Sequence, residues 1–127
     1  MTLKKDQFEE IAQVAFDSLP EEFRNRIDNV HIVVEDYPSD DVLDKMKGSR
    51  NSLLGLYQGT PLPHRNSWYG TAPTTPDKIT LYQKNIEAVC RTDAEVEHRI
   101  LEVLYHEIGH YFGMNEREIR AAMKHFQ

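Results

Sequence analysis

Apolar residues recur at helical spacing near the start of the chain, at Phe8, Ile11, Ala12, Ala15, Phe16 and Leu19, which predicts an amphipathic helix over roughly Asp6–Leu19. Asp6 and Glu9 have the spacing of a capping box, and Pro20 closes the helix and opens a short turn through Glu21, Glu22 and Phe23. Phe8 and Phe16 on this stripe read as core packing. The run Asn29–Glu35 is β-branched and nearly continuously apolar, which predicts a strand covered on both faces or nearly so, with His31 as a structural histidine. In Tyr37–Gly48, Pro38 marks a turn, Ser39 an N-cap, and Gly48 the C′ position of a short helix. Asp40 and Asp41 suit that helix's N-terminus through its dipole, so no catalytic role is assigned to them.

Two further strands are expected at Leu53–Gln58 and Lys78–Gln83. The long connection between them, GTPLPHRNSWYGTAPTTP, holds four of the six prolines and concentrates His64, Arg65, Trp68 and Tyr69. Long loops without secondary structure of their own usually have a function. Two readings stand side by side: a cleft lining that presents polar tips and an aromatic wall, or a surface flap whose Trp68 packs on the domain. Beyond a helical turn at Asn85–Cys90, Thr92 and Glu95 form another capping box, strengthened by Asp93. The helix they open is expected to run from Asp93 to about Phe112, or about 30 Å. Val96, Ile100, Val103, Leu104 and Ile108 form its apolar face, with Glu95, Arg99 and Glu102 toward solvent and His98 a surface residue.

That helix ends in the stretch that carries chemistry. Within Tyr105–Glu118, His106, Glu107 and His110 form HExxH, extended through Gly113 to Glu116 as HExxHxxGxxE. Positions i and i+4 share a helix face, so the two imidazoles can grip one ion. Glu107 lies about 100° further round, where it can reach a water on that ion without being a ligand. A catalytic zinc usually takes three protein ligands and keeps one position open. Gly113 can adopt the left-handed conformation that ends a helix and turns the chain back, and Glu116 follows at the right distance to supply the third ligand. Glu118 competes for that role, but with Asn115 it has N-cap and N3 spacing, which gives it a structural task in a final helix. Glu116 would sit at the first position of that helix, where its charge also suits the dipole.

Composition narrows the setting. A chain of 127 residues, 39% hydrophobic and 28% charged, is expected to form one domain over residues 1–127. Its net charge of −6 argues against nucleic acid and anionic lipid as partners. Cys90 is the one cysteine, so it cannot form an internal disulfide; it reads as a plain buried or half-buried thiol in a reducing compartment. The first residues lack the apolar core of a signal peptide and no apolar run is long enough to span a membrane, so a cytoplasmic location is expected.

On these residues the chain resembles the small bacterial zincin-like metallopeptidases, the minimal zincins. The likeness runs through a first helix ending in LP, then NVHIVVED, LLGLYQGTPLP, PDKITLY and HEIGHYFGM. It implies a zincin-like α+β fold: a small mixed sheet packed against an N-terminal helix and a C-terminal zinc-binding helix. It also implies that His106, His110 and Glu116 occupy the metal positions and Glu107 that of the catalytic base. Family members often carry Asp where Glu116 stands, one methylene shorter. The motif is similar to the longer metzincin signature HExxHxxGxxH, but the third ligand is acidic here. Only eleven residues follow Glu116, too few for a downstream methionine turn, and Met114 and Met123 read as packing residues.

The expected activity is zinc-dependent hydrolysis of a peptide or protein substrate, with Glu107 as base toward a zinc-bound water and Leu53–Gln58 as the sheet edge that receives an extended chain. Tyr69 or His64 is a candidate to assist the oxyanion. One rival is a non-catalytic peptide-binding module stapled by zinc; it would need a fourth protein ligand. Another is a metal-dependent endoribonuclease with similar histidine spacing, whose pattern lacks a glutamate at the position of Glu107.

Overall fold

In the computed structural model of the chain, which describes residues 2–24, 30–46, 49–59 and 77–124, the first helix, α1, spans Lys5–Asp17. It starts one residue before the expected boundary, and this moves the cap. Gln7, not Glu9, reaches back, its Oε1 accepting from the Lys4 N–H at 3.1 Å. Asp6 instead takes the Gln7 N–H at 2.9 Å, because it already lies inside the first turn. Phe8, Ala12 and Ala15 are buried as the periodicity requires, with Phe16 packed at the core margin. After Pro20 comes α2 (Glu21–Arg24), whose Phe23 N–H donates to the Pro20 carbonyl at 2.9 Å.

The strands β1 (Val30–Glu35), β2 (Gly55–Gln58) and β3 (Asp77–Tyr82) form a sheet in the order β1-β3-β2. β1 runs parallel to β3 and β2 antiparallel to it, so the sheet is mixed. This order corrects the expectation for β1. Among the described residues it is an edge strand in which Val34 is buried while His31 and Glu35 are exposed. The strand covered on both faces is β3, where both members of each alternating pair, Ile79 with Leu81 and Thr80 with Tyr82, are buried. A continuous apolar run does not distinguish a central strand from an edge strand that leans on a neighbouring helix; β1 is of the second kind, in contact with α1.

Between β1 and β2, α3 (Asp40–Met46) begins at Ser39, whose Oγ accepts from the Val42 N–H at 3.3 Å. The expected C′ glycine, Gly48, lies outside the described residues, as does the loop segment 60–76 with His64, Arg65, Trp68 and Tyr69. After β3 the chain passes directly into α4 (Gln83–Ala88), then α5 (Asp93–Tyr111) and α6 (Glu116–Met123). α1 and α5 pack on each other, α1 touching β1 while α5 touches β2 and β3. The core lies between these layers, with Phe8, Ile79, Leu81, Ile100, Leu104 and Ile108 fully enclosed. A small domain with one such layer of helices on a mixed sheet has the expected α+β architecture. Among the described residues, no helix is long and apolar enough to cross a membrane.

Candidate metal centre

The helix that carries the site is anchored at its start as the sequence predicts. Thr92 Oγ1 accepts from the Glu95 N–H at 3.1 Å, and Glu95 Oε2 accepts from the Thr92 N–H at 3.0 Å and the Arg91 N–H at 2.6 Å. Val96, Ile100, Val103, Leu104 and Ile108 are all buried, which fixes the rotation of α5 about its axis. His106 and His110 then emerge to one side of that apolar face, 35% and 53% exposed, with ring centroids 5.9 Å apart. His98 is a surface residue beside Glu102. Cys90 is buried and takes no part in the site, and burial pushes its thiol pKa up, as suits a packing residue.

The helix ends in a Schellman turn. The Met114 N–H donates to the Gly109 carbonyl at 2.8 Å and the Gly113 N–H to the His110 carbonyl at 3.1 Å. Gly113 has φ +80°, the left-handed region expected for this turn. Asn115 then caps α6: its Oδ1 accepts from the Glu118 N–H at 2.9 Å, while Glu118 Oε1 accepts from the Asn115 N–H at 3.1 Å. Glu118 is thereby committed to the cap, and Glu116, at the first helical position, turns back toward the histidines. Its Oε1 lies 2.9 Å from His110 Nε2 and its Oε2 3.5 Å from His106 Nδ1.

What holds α6 at this angle is a close approach that the motif does not reveal. A Cβ at Gly109 would lie 2.7 Å from Ile119 Cγ1 and 2.8 Å from its Cδ1. Ile119 is fully buried against α5, so the glycine lets the two helices meet between the two histidine positions of α5. Met114 and Met123 pack at the core margin, as expected of them.

One donor atom from each of His106, His110 and Glu116 falls within 4.8 Å of the others. Ligands about 2.0–2.1 Å from a tetrahedral zinc stand about 3.3 Å apart. Glu116 meets the two histidines through different oxygens, and with one donor atom of each residue within 4.8 Å of the others the His-His-carboxylate set suits such an ion. Among the described residues, no fourth histidine, cysteine or carboxylate joins the group.

Glu107 does not join it either. It lies half-buried on the same helix, and its Oε1 accepts a hydrogen bond from the Tyr57 main-chain N–H at 2.9 Å. Burial raises its pKa above the ordinary glutamate value, opposed by the Tyr57 amide and by the charges of His110 and His106. Beside it, the Tyr57 ring stacks on Tyr111 at 4.1 Å and its hydroxyl donates to Asp77 Oδ2 at 2.6 Å. Sequence reasoning missed this strand contact because a main-chain donor leaves no signature. The one available signal was Gly55, since a glycine inside a strand often marks a close backbone approach.

The sequence model of a family described as zincin-like metallopeptidase matches residues 27–125. Among solved structures, the fold is similar to that of a conserved hypothetical protein from Thermo thermophilus. The TM-score is 0.53 and the identity 23%, over 86% of this chain and 94% of the other. No curated protein matches the chain.

Proposed function

Since the chain belongs to the zincin-like metallopeptidase family, we propose that it is a zinc-dependent peptidase in which His106, His110 and Glu116 hold the metal and Glu107 is the base. The observation that carries this reading is the convergence of two imidazole nitrogens and one carboxylate within 4.8 Å, on a helix end where Glu107 stands apart from them. Zinc bound there would act as a Lewis acid on the scissile carbonyl and lower the pKa of water from 15.7 to about 7. The three protein donors found among the described residues suit a catalytic ion better than a structural one, which is normally closed by four.

The chain's own residues supply the proton transfers. Among the described residues, Glu107 Oε1 is engaged by the Tyr57 N–H and Oε2 makes no hydrogen bond. Oε2 takes the proton of the attacking water and returns it to the leaving amine. In the metal-free chain burial raises the pKa of Glu107, which favours its protonated form. The substrate is an extended peptide laid along β2, which among the described residues lies at one side of the sheet, through main-chain groups other than the Tyr57 N–H that Glu107 holds.

Replacement of Glu107 separates binding from chemistry. Glu107→Gln is expected to bind one zinc per chain as the wild type does, and to lose about 10²–10⁴-fold in turnover. His110→Ala is expected to lose the metal itself. Turnover by Glu107→Gln at the wild-type rate would rule out the assigned base.

A further inference from the structure

The hydrogen bond to Glu107 comes from an unusual place. The Tyr82 N–H donates to the Leu54 carbonyl at 3.0 Å, and β2 pairs with β3 in the register Gly55↔Leu81, Leu56↔Thr80, Tyr57↔Ile79 and Gln58↔Lys78. In an antiparallel pair the bonded positions alternate, so Leu54, Leu56 and Gln58 face β3 with their main-chain groups. Those of Gly55 and Tyr57 face away from it, toward the outer edge. The Tyr57 N–H is therefore an edge donor, of the kind usually left to water or to another strand. Here it is committed to a side chain fifty positions along the chain.

Two features bring that donor within reach. A Cβ at Gly55 would lie 2.4 Å from Val103 Cγ1 and 3.2 Å from the Thr80 carbonyl oxygen, so only glycine lets β2 settle this closely on α5. Val103 and Glu107 are four residues apart, a rise of about 6 Å along a helix. Gly55 and Tyr57 are two residues apart, about 6.8 Å along a strand. Strand and helix thus run in step, and the contact at Val103 is followed one turn later by the one at Glu107. One turn further, Tyr111 stacks on the Tyr57 ring, whose hydroxyl is held by Asp77. Tyr57 is fixed from both ends, so its amide cannot follow a wandering carboxylate.

We propose that the main-chain amide of Tyr57 is the positioning group for Glu107, brought into reach by Gly55, and that it holds Oε1 so that Oε2 is presented to the reacting water. The proposal rests on the peptidase reading. A base must be held within about 0.5 Å of its productive place, and a glutamate on a helix has three side-chain torsions to restrain. The apolar wall of α5 restrains none of its oxygens. The strand amide restrains one, and the two-fold symmetry of the carboxylate then fixes the other.

The test has two readouts. In ¹⁵N-labelled protein, hydrogen exchange at the Tyr57 amide is expected to be slow, although the amide faces the outer edge. It should accelerate about tenfold or more in Glu107→Ala and stay slow in Glu107→Gln, whose amide oxygen still accepts. Exchange at Leu56, bonded into β3, should not change. Equal Tyr57 exchange in wild type and Glu107→Ala would overturn the anchor. The second readout replaces the Tyr57 amide with an ester, which removes the donor and keeps the ring. A fall in kcat of about tenfold, with KM within about twofold and zinc affinity unchanged, supports the positioning role. An unchanged kcat in the ester variant overturns it, because a merely structural bond would move stability alone. A fully zinc-loaded wild type that cleaves nothing would sink the peptidase reading and the catalytic role with it, while the exchange result would still decide the anchor.

Discussion

Glu107 combines a carboxylate that burial disfavours as an anion with neighbours that favour it. Burial is the largest influence and raises its pKa from 4.5; the Tyr57 amide and the charges of His110 and His106 pull the other way. A carboxylate whose pKa is raised on folding stabilises the fold below its unfolded pKa and ceases to do so as pH rises through the folded value. The metal-free wild type is therefore penalised near neutrality by an ionised Glu107, and Glu107→Gln, which stays neutral, is not. The expected outcome is a higher Tm for metal-free Glu107→Gln at pH about 7. The gap should close as pH falls below the ordinary glutamate value of 4.5. A gap that widens on acidification would contradict the assignment of burial as the dominant influence. Glu116 is placed in the opposite way: one carboxylate, more than half exposed, meets both histidines with its two oxygens, while Glu118 two positions later is absorbed by the cap.

The helix pair α5 and α6 sets the third ligand, and two glycines do this in different ways. Gly113 has φ +80° with nothing within 4 Å of an added Cβ, so Gly113→Ala meets no steric obstacle and costs only backbone strain, about 1–2 kcal/mol in chemical denaturation. Gly109→Ala drives a methyl into Ile119 at 2.7 Å and pushes α6 outward. It is expected to cost about 1–3 kcal/mol of stability. It should also weaken zinc binding about tenfold in a competitive chelator titration, because Glu116 moves with α6. Equal zinc affinity in Gly109→Ala and wild type would show that α6 is placed by something else. Most of this element pair was legible beforehand. Gly113, Asn115 and Glu118 have strong local signatures, and local hydrogen bonds decide their conformations. The Gly109–Ile119 approach was not legible, since it depends on two helices meeting. The cap of α1 was misplaced at Asp6 and Glu9 because a helix boundary can shift by one residue at little cost, and Gln7 serves as well as an acid.

Across the whole molecule, the sheet puts the reading of each strand in order. The apolar run of β1 suggested a covered strand, yet β3 takes the centre and β1 an edge, because pairing order depends on long-range contacts that periodicity does not encode. The same limit hid the link from Tyr57 to Glu107, which joins β2 to α5 through a main-chain group. By contrast, the amphipathic stripe of α5 and its box at Thr92 and Glu95 sufficed to fix which way His106 and His110 face. Among the described residues, the β2 side of the sheet lies beside a half-buried carboxylate, on the helix that also carries two of three candidate metal donors. The central claim is that this arrangement cleaves peptide bonds, and an unbiased peptide-library digest read by mass spectrometry tests it most directly. Zinc-loaded wild type is expected to generate new termini that are absent from the digest with zinc-loaded Glu107→Ala. An intact library after incubation with folded, zinc-loaded wild type, or the same cleavages from Glu107→Ala, would contradict it.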